Sequence, residues 1–248
     1  MRLTVVGCSG SFPGPDSPAS CYLVEADGYR VLVDLGSGAL GPLQRHCAIG
    51  DIDAVLLSHL HPDHCMDVLP LYVARTYDRA TTHDRIPIHG PTGAGAHLAR
   101  AYGRCEEPGL RGAFDFVDVV AGTREVGPLS VTVARTAHPV ETWGMRIEHG
   151  GRTLVYSGDS GPCDELVDLA AGADLFLCEA SFRDGDENPP DVHLTGREAG
   201  HLAARAAVDR LVVTHVPPWH DPAQTRIEAR SSYDGPVELA RSGATYEI

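Results

Sequence analysis

Four side chains able to hold a metal ion fall within six positions: His59, His61, Asp63 and His64, in the run Ser58-His59-Leu60-His61-Pro62-Asp63-His64. His59 and His61 are two residues apart, so in an extended segment they point to one side. Pro62 drives His61 toward extended backbone. Asp63 and His64 follow where the chain turns into a helix, which aims them at a neighbouring point. The pattern is two ligand pairs, slightly displaced, and neutral imidazole with carboxylate suits zinc. The chemistry such a centre offers is activation of water for hydrolysis at neutral pH.

The ligands need strands to position them. Ile52–Ser58 reads as an apolar strand that ends at the cluster, and the arrangement recurs: Val131–Ala137 before His138, Arg152–Ser157 before Gly158-Asp159, and Leu211–Thr214 before His215. Open α/β sheets place their sites at the carboxyl ends of strands. A lone histidine after a strand is usually structural, but four strands each delivering a ligand-type residue form a constellation. Met1–Gly7 reads as a first strand. Asp27-Gly28 and Gly150-Gly151 mark two-residue hairpins joining Cys21–Ala26 to Tyr29–Asp34 and Met145–His149 to Arg152–Ser157. Helical patterns cover Met66–Asp78 (broken by Pro70), Ala94–Tyr102, Cys163–Ala171 and Gly196–Ala207. The last carries a capping signal, Thr195 with Glu198. Pro87–Gly95 reads as a loop. Two β-rich halves with helices outside predict an α/β fold, a four-layered αββα sandwich, as one domain over residues 1–248.

The order His59-x-His61-x-Asp63-His64, then His138, Asp159 and His215, resembles the metallo-β-lactamase superfamily of binuclear hydrolases, over a span from Gly7 to about Trp219. The resemblance implies two divalent metal ions, zinc first, with manganese or iron as alternatives. His59, His61 and His138 would hold one metal, Asp63, His64 and His215 the other, and Asp159 would bridge them. Asp34 resembles the family's aspartate behind the ligands, where carboxylates orient ligating imidazoles. Cys178-Glu179-Ala180-Ser181 and His193-Leu194-Thr195 resemble loops of the phosphodiesterase branch that includes tRNase Z. By that likeness Asp63 aims the attacking water, His193 contacts the phosphate and protonates the leaving oxygen, and Glu179 orients His193. Residue reading alone leaves other roles open: His193 as a cap near Thr195, Glu179 as a structural ion-pair member, Asp34 as a turn residue.

Two departures bear on substrate. Cys178 stands where the branch has histidine, and Tyr77 to Val126 holds no long basic insertion of the kind that grips tRNA. The chain is more similar to small actinobacterial relatives acting on cyclic nucleotides, through Gly7-Cys8-Ser9-Gly10-Ser11, Pro15–Ser20 and His215-Val216-Pro217-Pro218-Trp219. Among these, Ser9 and Ser11 are candidates for a place near substrate, and Trp219 with His220 for stacking a base. The alternatives are tRNase Z-like RNA 3′ processing, thioester or lactone hydrolysis on the same metals, and a non-catalytic role in which the fold binds and senses a nucleotide or RNA.

Composition narrows the partners. The 248 residues carry a formal net charge of −14, which argues against wrapping long nucleic acid. A small phosphodiester or nucleotide avoids that repulsion. No stretch reaches the length of a membrane helix, and the N-terminus lacks a signal-peptide pattern, so a cytoplasmic location is expected. Seven cysteines without a C-x-x-C argue against a disulfide framework or zinc ribbon. A homodimer is the prior for association. His46, His83, His89, His97, His149 and His201 have no ligand context.

Overall fold

A computed structural model of the chain describes residues 1–78 and 84–248; His83 lies outside them. The first half supplies β1 (Arg2–Gly7), β2 (Cys21–Ala26), β3 (Tyr29–Leu35), β4 (Ala54–Leu56), β5 (Ile86–Gly90) and β6 (Phe114–Asp118). Its helices are α1 (Leu40–Leu43), α2 (Pro62–Cys65), α3 (Val68–Tyr77) and α4 (Ala94–Ala101). The second half supplies β7 (Gly122–Val126), β8 (Leu129–Arg135), β9 (Trp143–His149), β10 (Arg152–Tyr156), β11 (Leu175–Glu179), β12 (Leu211–Thr214) and β13 (Val237–Leu239). With them come α5 (Asp164–Ala170), α6 (Gly196–Arg205), α7 (Pro222–Arg230) and the last strand, β14 (Thr245–Glu247).

Local chemistry sets the first pairings. Asp27 and Gly28 both take positive φ, 50° and 82°, as do Gly150 and Gly151, at 59° and 76°. These are the mirror-image turns whose twist suits antiparallel strands. They place Ala26 opposite Tyr29 and His149 opposite Arg152. Each half then changes from antiparallel to parallel pairing. The first sheet runs β14-β1-β2-β3-β4-β5-β6 and the second β13-β12-β11-β10-β9-β8-β7. Pairing is parallel from β3 to β6 and from β10 to β13. The two halves thus share a topology that has no counterpart as a sequence repeat.

The sheets pack face to face. Leu3, Tyr22, Val31 and Val33 of one meet Val131, Met145, Leu154 and Leu177 of the other in a buried core. The outer face of the first sheet is covered by helices contributing Leu71 and Leu98. That of the second is covered by Leu166 and Leu202. This is the expected four-layered αββα sandwich. The expected capping box is present: Thr195 accepts from the Glu198 N–H, and Glu198 accepts from the Thr195 N–H.

Two expectations need correction. Pro87–Gly95 is not all loop, because Ile86–Gly90 is a strand between β4 and β6. Pairing with β4 begins at Ile88, so the missing Pro87 N–H falls where no β4 partner waits. The helical pattern from Met66 is not broken at Pro70. The break falls at Met66-Asp67, between α2 and α3, and Pro70 lies in the first turn of α3, where N–H groups have no intrahelical partner. Among the described residues no helix is long and apolar enough to cross a membrane.

Candidate metal centre

The carboxyl ends of β3, β4, β8, β10, β11 and β12 meet at one edge of the sandwich. β8 shares the direction of β10 because both are antiparallel to β9. His61 is extended (φ −66°, ψ 149°) ahead of Pro62, as its sequence position requires, and Asp63 and His64 enter α2. Three rings then converge: His59 Nε2 lies 3.0 Å from His61 Nδ1, and His138 Nε2 lies 3.4 Å from the same atom. Asp63, His64 and His215 form a second group, and Asp159 stands between the two. Its Oδ2 is 3.6 Å from His59 Nε2 and 3.4 Å from His215 Nε2, while its Oδ1 is 3.2 Å from His64 Nε2. Asp63 Oδ2 lies 3.5 Å from His64 Nε2 and 3.6 Å from His215 Nε2.

Buried partners fix which ring atom faces inward. Asp34 is fully buried in a left-handed conformation (φ 57°). It accepts from the Ser58 N–H, the Ser58 hydroxyl, the Tyr156 hydroxyl and His64 Nδ1, at 2.7, 2.8, 2.8 and 2.7 Å. A carboxylate only accepts, so the His64 proton sits on Nδ1 and the Nε2 lone pair faces the centre. The Ser58 hydroxyl has given its one proton to Asp34, so Ser58 Oγ, 3.0 Å away, accepts from His59 Nδ1 and likewise frees Nε2. His138 Nδ1 donates to the Val192 carbonyl at 2.7 Å, and His215 Nδ1 pairs with Ser20 Oγ at 2.9 Å. Asp34 was legible in the sequence. Ser20, Ser58, Tyr156 and the Val192 carbonyl were not.

The donor set fits divalent cations. His64 Nε2, Asp159 Oδ1 and His215 Nε2 are buried and make no hydrogen bond among the described residues. A neutral imidazole lone pair 3.2 Å from a carboxylate oxygen repels it, and either a proton on Nε2 or a metal cation between the two relieves the repulsion. Burial pushes His59 well below the ordinary imidazole range, with neighbouring His64 adding to the effect, and burial also lowers His61, His138 and His215. The neutral form is the one that binds metal. Burial alone would raise Asp159, but His215, His64 and His59 outweigh it and hold the carboxyl well below its usual range. Asp63 is lowered likewise, as His64 and His215 overcome burial. At His64 burial is overcome by Asp159 and Asp34, which raise it; the same carboxylates favour a cation against its Nε2.

Beside this set stands His193, half-buried, with Nδ1 2.8 Å from Glu179 Oε1 and 3.9 Å from Asp159 Oδ2. Thr195, not His193, caps α6. Glu179 is fully buried and also accepts from the Ser160 and Ser181 N–H groups. Burial would lower His193, but the Glu179 carboxylate outweighs it and pushes the ring up to about 9. Ser9 is buried and spends its hydroxyl on the Phe12 carbonyl, whereas Trp219 is exposed and touches the His220 ring edge-on. Trp143 is a core residue.

A two-sheet sandwich with clustered imidazoles and carboxylates at its strand ends defines the class of metallo-hydrolases. Residues 29–216 match the family model described as a beta-lactamase superfamily domain, and the chain belongs to the metallo-β-lactamase superfamily. It is 45% identical to ML1173 of Mycobacterium leprae (strain TN), over 100% of this chain and 89% of that protein. It is 31% identical to the probable metallo-hydrolase YhfI of Bacillus subtilis (strain 168), over the full length of both. The solved structure of YhfI superposes with a TM-score of 0.89, covering 99% of each chain. Ribonuclease Z of Mycobacterium bovis (strain BCG / Pasteur 1173P2) is 33% identical, over 100% of this chain and 98% of that protein.

Proposed function

We propose that the chain is a binuclear phosphodiesterase that opens cyclic nucleotides or cuts other small phosphodiesters. In this reading His59, His61 and His138 would hold one divalent ion and Asp63, His64 and His215 the other, with Asp159 available to both groups. Zinc suits the donors best, and manganese or iron also fit. Bound ions would lower the pKa of water toward about 7 and neutralise phosphoryl charge. Asp63 accepts a hydrogen bond from the attacking water and aims it. His193 carries a proton at neutral pH and delivers it to the oxygen that leaves phosphorus, while Glu179 fixes the ring through Nδ1 and leaves Nε2 as the working end.

The observation that carries this reading is the His193–Glu179 pair: an imidazole beside the metal-facing set, oriented through Nδ1 by a buried carboxylate that favours its charged form. A leaving alkoxide needs that proton; a thiolate does not. The 33% identity to ribonuclease Z favours a second reading, RNA processing. Two observations oppose it. The alignment runs to 280 positions against the 248 residues of this chain, so the relative has insertions that this chain lacks. The net charge of −14 also repels a polyanion. The test is a turnover panel on purified, zinc-loaded protein: cyclic mononucleotides, cyclic dinucleotides, bis-p-nitrophenyl phosphate, a thioester and a lactone. Phosphodiester turnover is expected. Turnover of only the thioester or lactone would overturn the proposal.

A further inference from the structure

Two aromatic rings stand exposed at the end of the molecule that carries the metal-facing residues. Phe12 is 47% and Trp219 60% exposed. They come from opposite ends of the chain, yet their ring centroids lie 5.3 Å apart at 38°. Single exposed apolar side chains are ordinary. A pair assembled from two distant loops is a built surface.

The backbone explains where the pair sits. β1 shares the direction of β3, since both are antiparallel to β2, so the loop after Gly7 leaves at the same edge as Asp34. Trp219 follows His215 by four residues, a span of at most about 14 Å. Gly10 packs so closely on the His215 carbonyl that a Cβ there would meet its oxygen at 2.3 Å. The Gly10 N–H donates to the Val216 carbonyl at 3.2 Å, the Phe12 N–H to the Gly10 carbonyl at 2.7 Å, and the Ser9 hydroxyl to the Phe12 carbonyl at 2.7 Å. Ser11, between them, takes φ 64°, a left-handed conformation that an L-residue keeps only when its surroundings hold it. Pro13 follows Phe12, and Pro217-Pro218 precede Trp219. Both rings are therefore mounted on stiff loops tied to the residue after His215. Little conformational freedom remains to be lost when a flat ligand docks on them.

We infer that Phe12 and Trp219 form a stacking platform for the base of a nucleotide whose phosphate lies on the metal centre, an inference that rests on the phosphodiesterase reading. A nucleobase offers a flat π-face to such a surface whatever its edge pattern. The platform therefore retains nucleotides over base-free diesters and discriminates weakly among the bases.

Two measurements test it. In the first, Trp219→Ala raises KM for a cyclic mononucleotide roughly 5- to 150-fold, the range of one base–aromatic stack. KM for a cyclic ribose phosphate bearing methoxy in place of the base rises far less. Trp219→Phe restores most of the loss, and Ile227→Ala, an equally exposed apolar side chain on α7, changes neither substrate. In the second, tryptophan fluorescence is followed while adenosine monophosphate, ribose 5-phosphate or inorganic phosphate is added. Trp143, the other tryptophan, is 6% exposed in the core, so quenching reports on Trp219. Quenching by the nucleotide alone is expected, weakened in Phe12→Ala. Equal KM losses with and without the base, or equal quenching by phosphate, would overturn the platform. Failure to turn over any phosphodiester would sink the parent reading instead, and the quenching titration would still decide the platform.

Discussion

Replacing His193 by alanine separates proton delivery from metal binding. His193 Nδ1 is committed to Glu179 at 2.8 Å, yet the ring lies near enough to Asp159 and His215 to be counted as a third possible ligand group. The proposal makes it a proton donor. On that basis His193→Ala keeps its metal content and loses about 10²–10⁴-fold in kcat on a cyclic mononucleotide, whose leaving alkoxide needs a proton. This equals roughly 3–5 kcal/mol of barrier at 1.36 kcal/mol per decade. On bis-p-nitrophenyl phosphate, whose phenolate leaves unaided, the loss stays within about tenfold. The fold should survive, because Glu179 keeps the Ser160 and Ser181 N–H groups after the imidazole is gone. The assay pairs kcat on the two substrates with metal analysis of the same preparation. Equal losses on both substrates would remove His193 from the acid role. Loss of a metal ion would make it a ligand and refute this division of labour.

Other outcomes follow from the same geometry. Asp159→Ala should reduce occupancy at both metal positions, measured by elemental analysis after dialysis, because its Oδ2 faces His59 of one ligand group and His215 of the other, while Oδ1 faces His64; unchanged content would contradict its bridging place. Tyr156→Phe removes one of four donors to buried Asp34 and should weaken metal affinity about 10- to 100-fold in a chelator competition, with little change in fold. The raised His193 pKa gives the pH dependence its sign. The acid is lost as pH rises through the His193 pKa, which Glu179 raises, so kcat on cyclic nucleotides falls on the alkaline side. Glu179→Gln takes away the charge that holds the proton, and the falling limb should move to lower pH; an unmoved limb would assign it to another group.

How much of this was legible in the sequence depended on distance along the chain. His59 to His64 lie within six consecutive residues, so spacing alone announced a metal cluster. His138, Asp159 and His215 were found because each follows an apolar strand and the family order joins them. Tyr156 reaches Asp34 across 122 residues and Ser20 reaches His215 across 195. No local pattern marks a hydroxyl whose partner is set by how two sheets pack. Proline misled twice for one reason. Pro87 and Pro70 each sit where the missing N–H has no partner to lose, and composition does not show which carbonyls are waiting. The Phe12–Trp219 contact was half visible: Trp219 was a candidate for stacking, but Phe12 joins it only because the Gly10 turn packs on His215.

In the proposed function this centre works on small phosphodiesters and not on a large RNA. The measurement that tests it most directly is kcat/KM for a cyclic mononucleotide against that for a tRNA precursor. Enzyme concentrations should be equal, salt low and both substrates below saturation. A net charge of −14 repels the polyanion most strongly under those conditions, whereas one phosphate bound at the centre escapes most of that penalty. A far higher kcat/KM is expected for the cyclic nucleotide. Site-specific removal of a tRNA 3′ trailer without cyclic nucleotide turnover would contradict it.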